Sequence, residues 1–189
     1  EYLDVTLLLP PGRDSHSFEP TAQDLLALQS ADIFLYNGGE METWVEEVLE
    51  AVPRSHGITF QGIETVDLLE EAHSKSMKTT GHSHDHEEAE DHNHEEEEHD
   101  HDEEEEHHHD EYDEHIWTSL ENAQLLVSAI EEVFCEADPE HEKQFHDNAA
   151  AYREQIANVQ AEIEEIVDNA RVKKILFADR FPFLYFTQE

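Results

Sequence analysis

TAQDLLALQSADIFLYNGGEMETWVEEVLEAV, residues 21–52, sets the fold class of this 189-residue chain. Thr21 and Asp24 stand three apart ahead of an apolar run, the pattern of a helix capping box, and predict a helix to about Ser30. Ile33 to Tyr36 is a short apolar run rich in β-formers, closed by Asn37-Gly38-Gly39, and reads as a buried strand ending in a turn. Met41, Trp44, Val45, Val48, Leu49 and Val52 then recur at steps of three and four, one face of an amphipathic helix. Helix, strand and helix in this order indicate an α/β class built on a parallel sheet.

The flanks extend the alternation. Val5 to Leu9 reads as a strand stopped by Pro10-Pro11-Gly12, and Ile58 to Phe60 as a weaker one. Residues 67 to 72 can start a further short element. Thr118 and Glu121 form a second capping-box pattern and predict a helix to about Ala137. Asp138-Pro139 then restarts a helix, with Asp as cap and Pro in the first turn. Phe145, Ala149, Tyr152, Ile156, Val159, Ile163 and Ile166 carry that helix to about residue 169, roughly 45 Å at 1.5 Å per residue. Ile175 to Ala178 reads as one more strand.

Between these halves, residues 81–114 read GHSHDHEEAEDHNHEEEEHDHDEEEEHHHDEYDE, with ten His and nineteen Asp or Glu. Such a stretch buries too little apolar surface to offset the entropy of ordering, so disorder is expected over about 74–114. Its imidazoles His82, His84, His86, His92, His94, His99, His101, His107, His108 and His109 form an auxiliary metal-binding set. The carboxylates attract cations and can complete a coordination shell.

The net charge is −39, of which this stretch carries −19. That balance argues against nucleic acid or an anionic membrane as partner. Cys135 is the sole cysteine and forms neither an internal disulfide nor a thiolate metal site. Its apolar neighbours Ile130, Val133 and Phe134 predict a buried, inert thiol. No transmembrane run or signal peptide is present, and both ends fall in apolar runs, which suggests a piece of a longer protein. No H-E-x-x-H, Gly-x-Ser-x-Gly, P-loop or dinucleotide motif is present, so an enzyme is not expected.

Outside the acidic stretch, His16 follows a strand and precedes a helix, where ligands sit in open α/β folds. His115 stands at the edge of the acidic stretch, just before a helix. His141 and His146 fall on the polar side of the long helix, and His56 and His73 in loops.

LLLPPGRDSHSFEPTAQDLLALQSADIFLYNGGEMETWVEEVL (7–49) resembles the start of a metal-binding solute-binding protein of ABC transporters, in its zinc and manganese branch. DEHIWTSLENAQ (113–124) resembles that family's D-P-H-x-W segment. The resemblance implies His16 and His115 as cleft ligands of Zn2+, with Mn2+ as the alternative. It implies an N-terminal metal-binding lobe over 1–138 without its first strand, a linking helix over 139–170, and the start of a C-terminal lobe over 171–189.

The family's third ligand is a His in an H-x-A-F-x-Y-like segment. Here ADRFPFLYF (178–186) matches at Phe183 and Tyr185 but places Arg180 at the ligand position. A guanidinium stays protonated and has no lone pair to donate. Asp179, Glu40, a His of the acidic stretch or a residue of the absent lobe are the substitutes. Glu19 and Asp113 are the nearby acids that can orient His16 and His115. The function implied is capture of zinc, a divalent metal ion, by an extracytoplasmic monomer and its delivery to a membrane ABC permease. The location implied is the bacterial periplasm or, as a lipoprotein, the cell surface. The alternatives are a zinc buffer or chaperone acting through the acidic stretch, or a family member for another divalent metal.

Overall fold

The computed structural model describes residues 2–12, 15, 18–52, 54–70, 112–177 and 181–189. Helix α1 spans Ala22–Ser30 and opens on the expected capping box: Thr21 Oγ1 accepts from the Asp24 amide, and Asp24 accepts from the Thr21 amide at 2.8 Å. Its other end is closed by Arg54, whose guanidinium donates to the Leu28 carbonyl and, at 2.8 Å, to the Ala31 carbonyl. A cation on the last carbonyls offsets the negative end of the helix dipole.

Strand β1 spans Ile33–Tyr36 and pairs in parallel with β2, Ile58–Gln61, in the register Ile33↔Ile58 to Tyr36↔Gln61. The helix that joins them, α2, spans Thr43–Ala51 and follows a turn of 3-10 helix at Glu40–Glu42. Strand, helix and parallel strand make a βαβ unit over residues 33–61. Its core is Leu28, Phe34, Val45 and Val48, flanked by Leu8, Leu25, Tyr36, Trp44 and Leu49. These residues come from α1, β1 and α2, with Leu8 from the segment before them, and none comes from β2.

The second half is helical. Helix α3 spans Leu120–Ala137, and α4 spans Glu142–Asn169 after a 3-10 turn at Pro139–His141. The long helix therefore starts three residues later than expected, because Pro139 opens a tighter turn first. At 28 residues α4 is about 42 Å long. Helix α3 packs against α4 on one side and against β2 and the Gly62–Thr65 turn on the other. Phe134 and Phe145 meet at 5.6 Å between ring centroids. Helix α5, Leu184–Gln188, rests against the 3-10 turn at Ile116–Thr118.

Several expectations are corrected. Residues 5–9 form no strand, and Val5 and Leu7 are exposed. Residues 175–177 form none either, and Leu176 is 95% exposed. Both runs have strand-like composition, but no neighbouring strand among the described residues takes their backbone hydrogen bonds. Helix α3 is capped by Ser119, whose hydroxyl accepts from the Asn122 amide at 2.9 Å, not by a Thr118–Glu121 box. Thr118 instead bonds back to the His115 carbonyl. Tyr112 to Glu114, assigned above to the disordered stretch, are paired: Tyr112 bridges Glu70 antiparallel, and the Asp113 amide donates to the Leu69 carbonyl at 2.9 Å.

Candidate metal centre

Of the two candidate His ligands outside the acidic stretch, His115 is the one among the described residues. It immediately precedes the Ile116–Thr118 turn, which is pinned by the fully buried Ile116. The Asp113 carboxylate accepts from the His115 amide at 2.8 Å and faces the imidazole Nδ1 at 2.9 Å. Asp113 is only 5% exposed, whereas His115 is 35% exposed. A buried carboxylate beside Nδ1 selects the tautomer with the proton on Nδ1. The Nε2 atom makes no hydrogen bond among the described residues. Its lone pair is then available to a cation.

Asp113 is itself held from two sides. The Tyr185 hydroxyl donates to the Asp113 carbonyl at 2.7 Å and accepts from the Leu69 amide at 3.1 Å. Burial pushes the Tyr185 phenol above its ordinary pKa. The Leu69 amide opposes that rise, and the Asp113 charge adds to it. The hydroxyl therefore stays protonated and keeps its donor role. The α5 helix that carries Tyr185 is fixed at its end by Glu189, whose carboxylate accepts from Ser119 Oγ and from the Glu121 amide at 2.7 Å.

The neighbouring residue Glu114 reaches the other way. Its carboxylate accepts from the amides of Glu40 and, at 2.7 Å, Met41, and its carbonyl accepts from Asn37 Nδ2 at 3.1 Å. This links the turn after β1 to the residue before His115. Gly39 makes room for it: a Cβ there would lie 2.5 Å from the Glu114 carboxyl carbon.

Glu40 is thus near His115 in the hydrogen-bonded framework, but its own carboxylate is exposed and makes no hydrogen bond among the described residues. His16, Asp179, Arg180 and the ten His of the acidic stretch lie outside the described residues. Phe18, two residues after His16 in sequence, seats its ring edge-on against Trp44 of α2 at 5.0 Å. Among the described residues, no three His, Cys, Asp or Glu side chains converge to hold a metal.

A cluster between α3 and α4 was not legible in the sequence. His146 is exposed, as expected, but its Nδ1 meets Glu131, and its Nε2 meets Glu142 at 3.3 Å. Arg153 completes the cluster by donating to Glu131 at 2.7 Å and to Ser128 at 2.9 Å. Burial alone would raise the Glu131 carboxyl, but hydrogen bonds and charge from His146 and Arg153 bring it below its ordinary pKa. Hydrogen bonds to Glu131 and Glu142 push the His146 imidazole up. Cys135 is half-buried, and burial followed by Glu142, Glu131 and Glu132 pushes its thiol up, which suits an inert group. A cavity of about 380 Å³ opens between Tyr2, α3 and α4, lined by Val127, Phe134, Phe145 and Tyr152. His115 does not line it.

Comparison with known proteins decides the family. Residues 1–189 match the family described as zinc-uptake complex component A periplasmic, ZnuA. The chain belongs to the ZnuA family. It is 31% identical over 173 residues to the zinc-binding protein AdcA of Streptococcus pyogenes serotype M3, spanning 92% of this chain and 31% of AdcA. It is 25% identical over 162 residues to the iron-binding protein YfeA of Yersinia pestis, spanning 85% of this chain and 41% of YfeA. The fold is that of the metal-dependent lipoprotein YcdH of Bacillus subtilis, with a TM-score of 0.72 at 23% identity over 98% of this chain and 55% of YcdH. The ZnuA-family chain therefore spans between a third and about half of these relatives.

Proposed function

We propose that this chain is the N-terminal lobe, linking helix and first part of the second lobe of an extracytoplasmic solute-binding protein. The whole protein captures zinc and delivers it to a membrane ABC permease, without enzymatic activity. One observation carries this reading: His115 is oriented by a buried carboxylate on Nδ1, and its Nε2 makes no hydrogen bond among the described residues, in a chain of the ZnuA family. A metal-binding imidazole needs this arrangement, because a second hydrogen bond fixes its tautomer and ring direction.

Zinc takes four ligands in a tetrahedron, with His nitrogen at about 2.0–2.1 Å. His16 and His115 supply two of them. The remainder come from Asp179, Glu40, an acidic-stretch His or the second lobe, because Arg180 cannot ligate a cation. A site shared between two lobes opens and closes with small lobe movements, which suits capture followed by release. The match to an iron-binding relative supports a second reading, in which the same site carries another divalent ion, iron or manganese.

A competitive zinc titration tests the reading. The full-length protein with residues 81–110 deleted is compared with the same protein carrying His16→Ala and His115→Ala. One tight zinc, lost in the double variant, is expected. If the loop-deleted protein binds no tight zinc, either the site serves another ion or the acidic stretch is the zinc binder.

A further inference from the structure

Tyr185 lies on a different element from every candidate ligand, yet its hydroxyl reaches the base of the His115 site. A phenol has one proton to give and lone pairs to accept with. Tyr185 uses both, donating to the Asp113 carbonyl at 2.7 Å and accepting from the Leu69 amide at 3.1 Å. The same two residues are joined directly, by the Asp113 amide to the Leu69 carbonyl at 2.9 Å. Three hydrogen bonds thus close on one point, two residues from His115. The ring is 4% exposed, so no water replaces the hydroxyl's bonds without disturbing its packing. The Asp113 side chain that faces His115 Nδ1 is carried on the backbone that this hydroxyl holds.

We propose that Tyr185 is a positioning residue for the metal site: its hydroxyl fixes the backbone of Asp113, and Asp113 then sets the tautomer and direction of His115. The proposal rests on His115 being a metal ligand. It adds a residue from the C-terminal segment, 72 positions beyond Asp113, to the machinery of a ligand in the N-terminal half. A partner that orients a metal-binding His, when removed, typically costs about 10–100-fold in metal affinity. Tyr185 acts one bond further away, so the lower end of that range, about tenfold, is expected.

The test is a double-mutant cycle in the full-length protein with residues 81–110 deleted, so that zinc reports the cleft alone. Zinc affinity is measured by chelator competition for the parent, Tyr185→Phe, His115→Ala and the double variant. Tyr185→Phe keeps the ring and removes only the hydroxyl. It is expected to weaken zinc binding about tenfold in the parent and less than about twofold when His115 is absent, as coupling through a shared site requires. Equal effects in both backgrounds, or none in the parent, overturn the proposal.

If His115→Ala itself leaves zinc binding unchanged, the metal-ligand reading fails instead, and the two failures are told apart. A second readout needs no metal. Long-range nitrogen–proton NMR of the imidazole should show the Nδ1-protonated form of His115 in the parent and a mixture of tautomers in Tyr185→Phe. An unchanged tautomer overturns the positioning role even if the variant is less stable.

Discussion

Gly39 adopts φ +88° and ψ −171°, a backbone region that essentially only glycine enters without strain. Its missing side chain leaves the space in which the Glu114 carboxylate meets the Glu40 and Met41 amides. Gly39→Ala is expected to cost about 1–3 kcal/mol in urea unfolding, from strain and from the displaced carboxylate together. Gly12→Ala is the control: φ there is +80°, but nothing lies within 4 Å of the added carbon. Its loss should be smaller, and equal losses would remove the role given to Glu114. At this scale the sequence was legible where a residue acts on near neighbours. Asp113 was read as a partner for His115 from a spacing of two. The Leu69–Tyr185 bond joins positions 116 apart, and no local pattern signals it.

The α3–α4 pair shows the same division at the level of elements. Apolar spacing announced both helices, and they pack through Phe134 and Phe145. The Glu131–His146–Arg153 cluster between them was hidden, because each residue alone looks like part of a solvated face. Its consequence is a pH window. His146 is raised from its ordinary 6.5, so its contribution is full below about pH 6.5 and fades as pH rises through the higher folded value. Glu131 is lowered from its ordinary 4.5, so its contribution is full above about pH 4.5 and fades as pH falls through the lower folded value. The contact is therefore strongest between these limits. His146→Gln should lower the urea midpoint more at pH 5.5 than at pH 9, and a constant difference would show that the pair adds nothing. Strand-like runs were the weaker signal. Residues 33–36 and 58–60 became strands because each found the other, whereas 5–9 and 175–177 have the composition without the partner.

The whole molecule carries a net charge of −39, and its attraction for cations is set by that total as well as by the ligands. Exposed charges are screened beyond about 10 Å at 0.1 M salt. Zinc association measured by stopped flow should therefore slow steeply with added salt, and deletion of residues 81–110 should slow it further at sub-micromolar metal. Equal capture rates with and without that stretch would remove any collecting role for it. No helix among the described residues is long and apolar enough to cross a membrane.

The Glu70–Tyr112 bridge holds side by side the two described positions that flank residues 71–111 in sequence. Closing a loop between fixed ends costs only about 0.6 kcal/mol more for each doubling of its length. A change in the number of residues between these two positions therefore costs the framework around His115 little in chain entropy. In evolutionary terms this is a socket where new metal chemistry can be tried at little risk to the fold. In the laboratory it is the graft point for a fluorescent domain that would turn the lobe into a sensor.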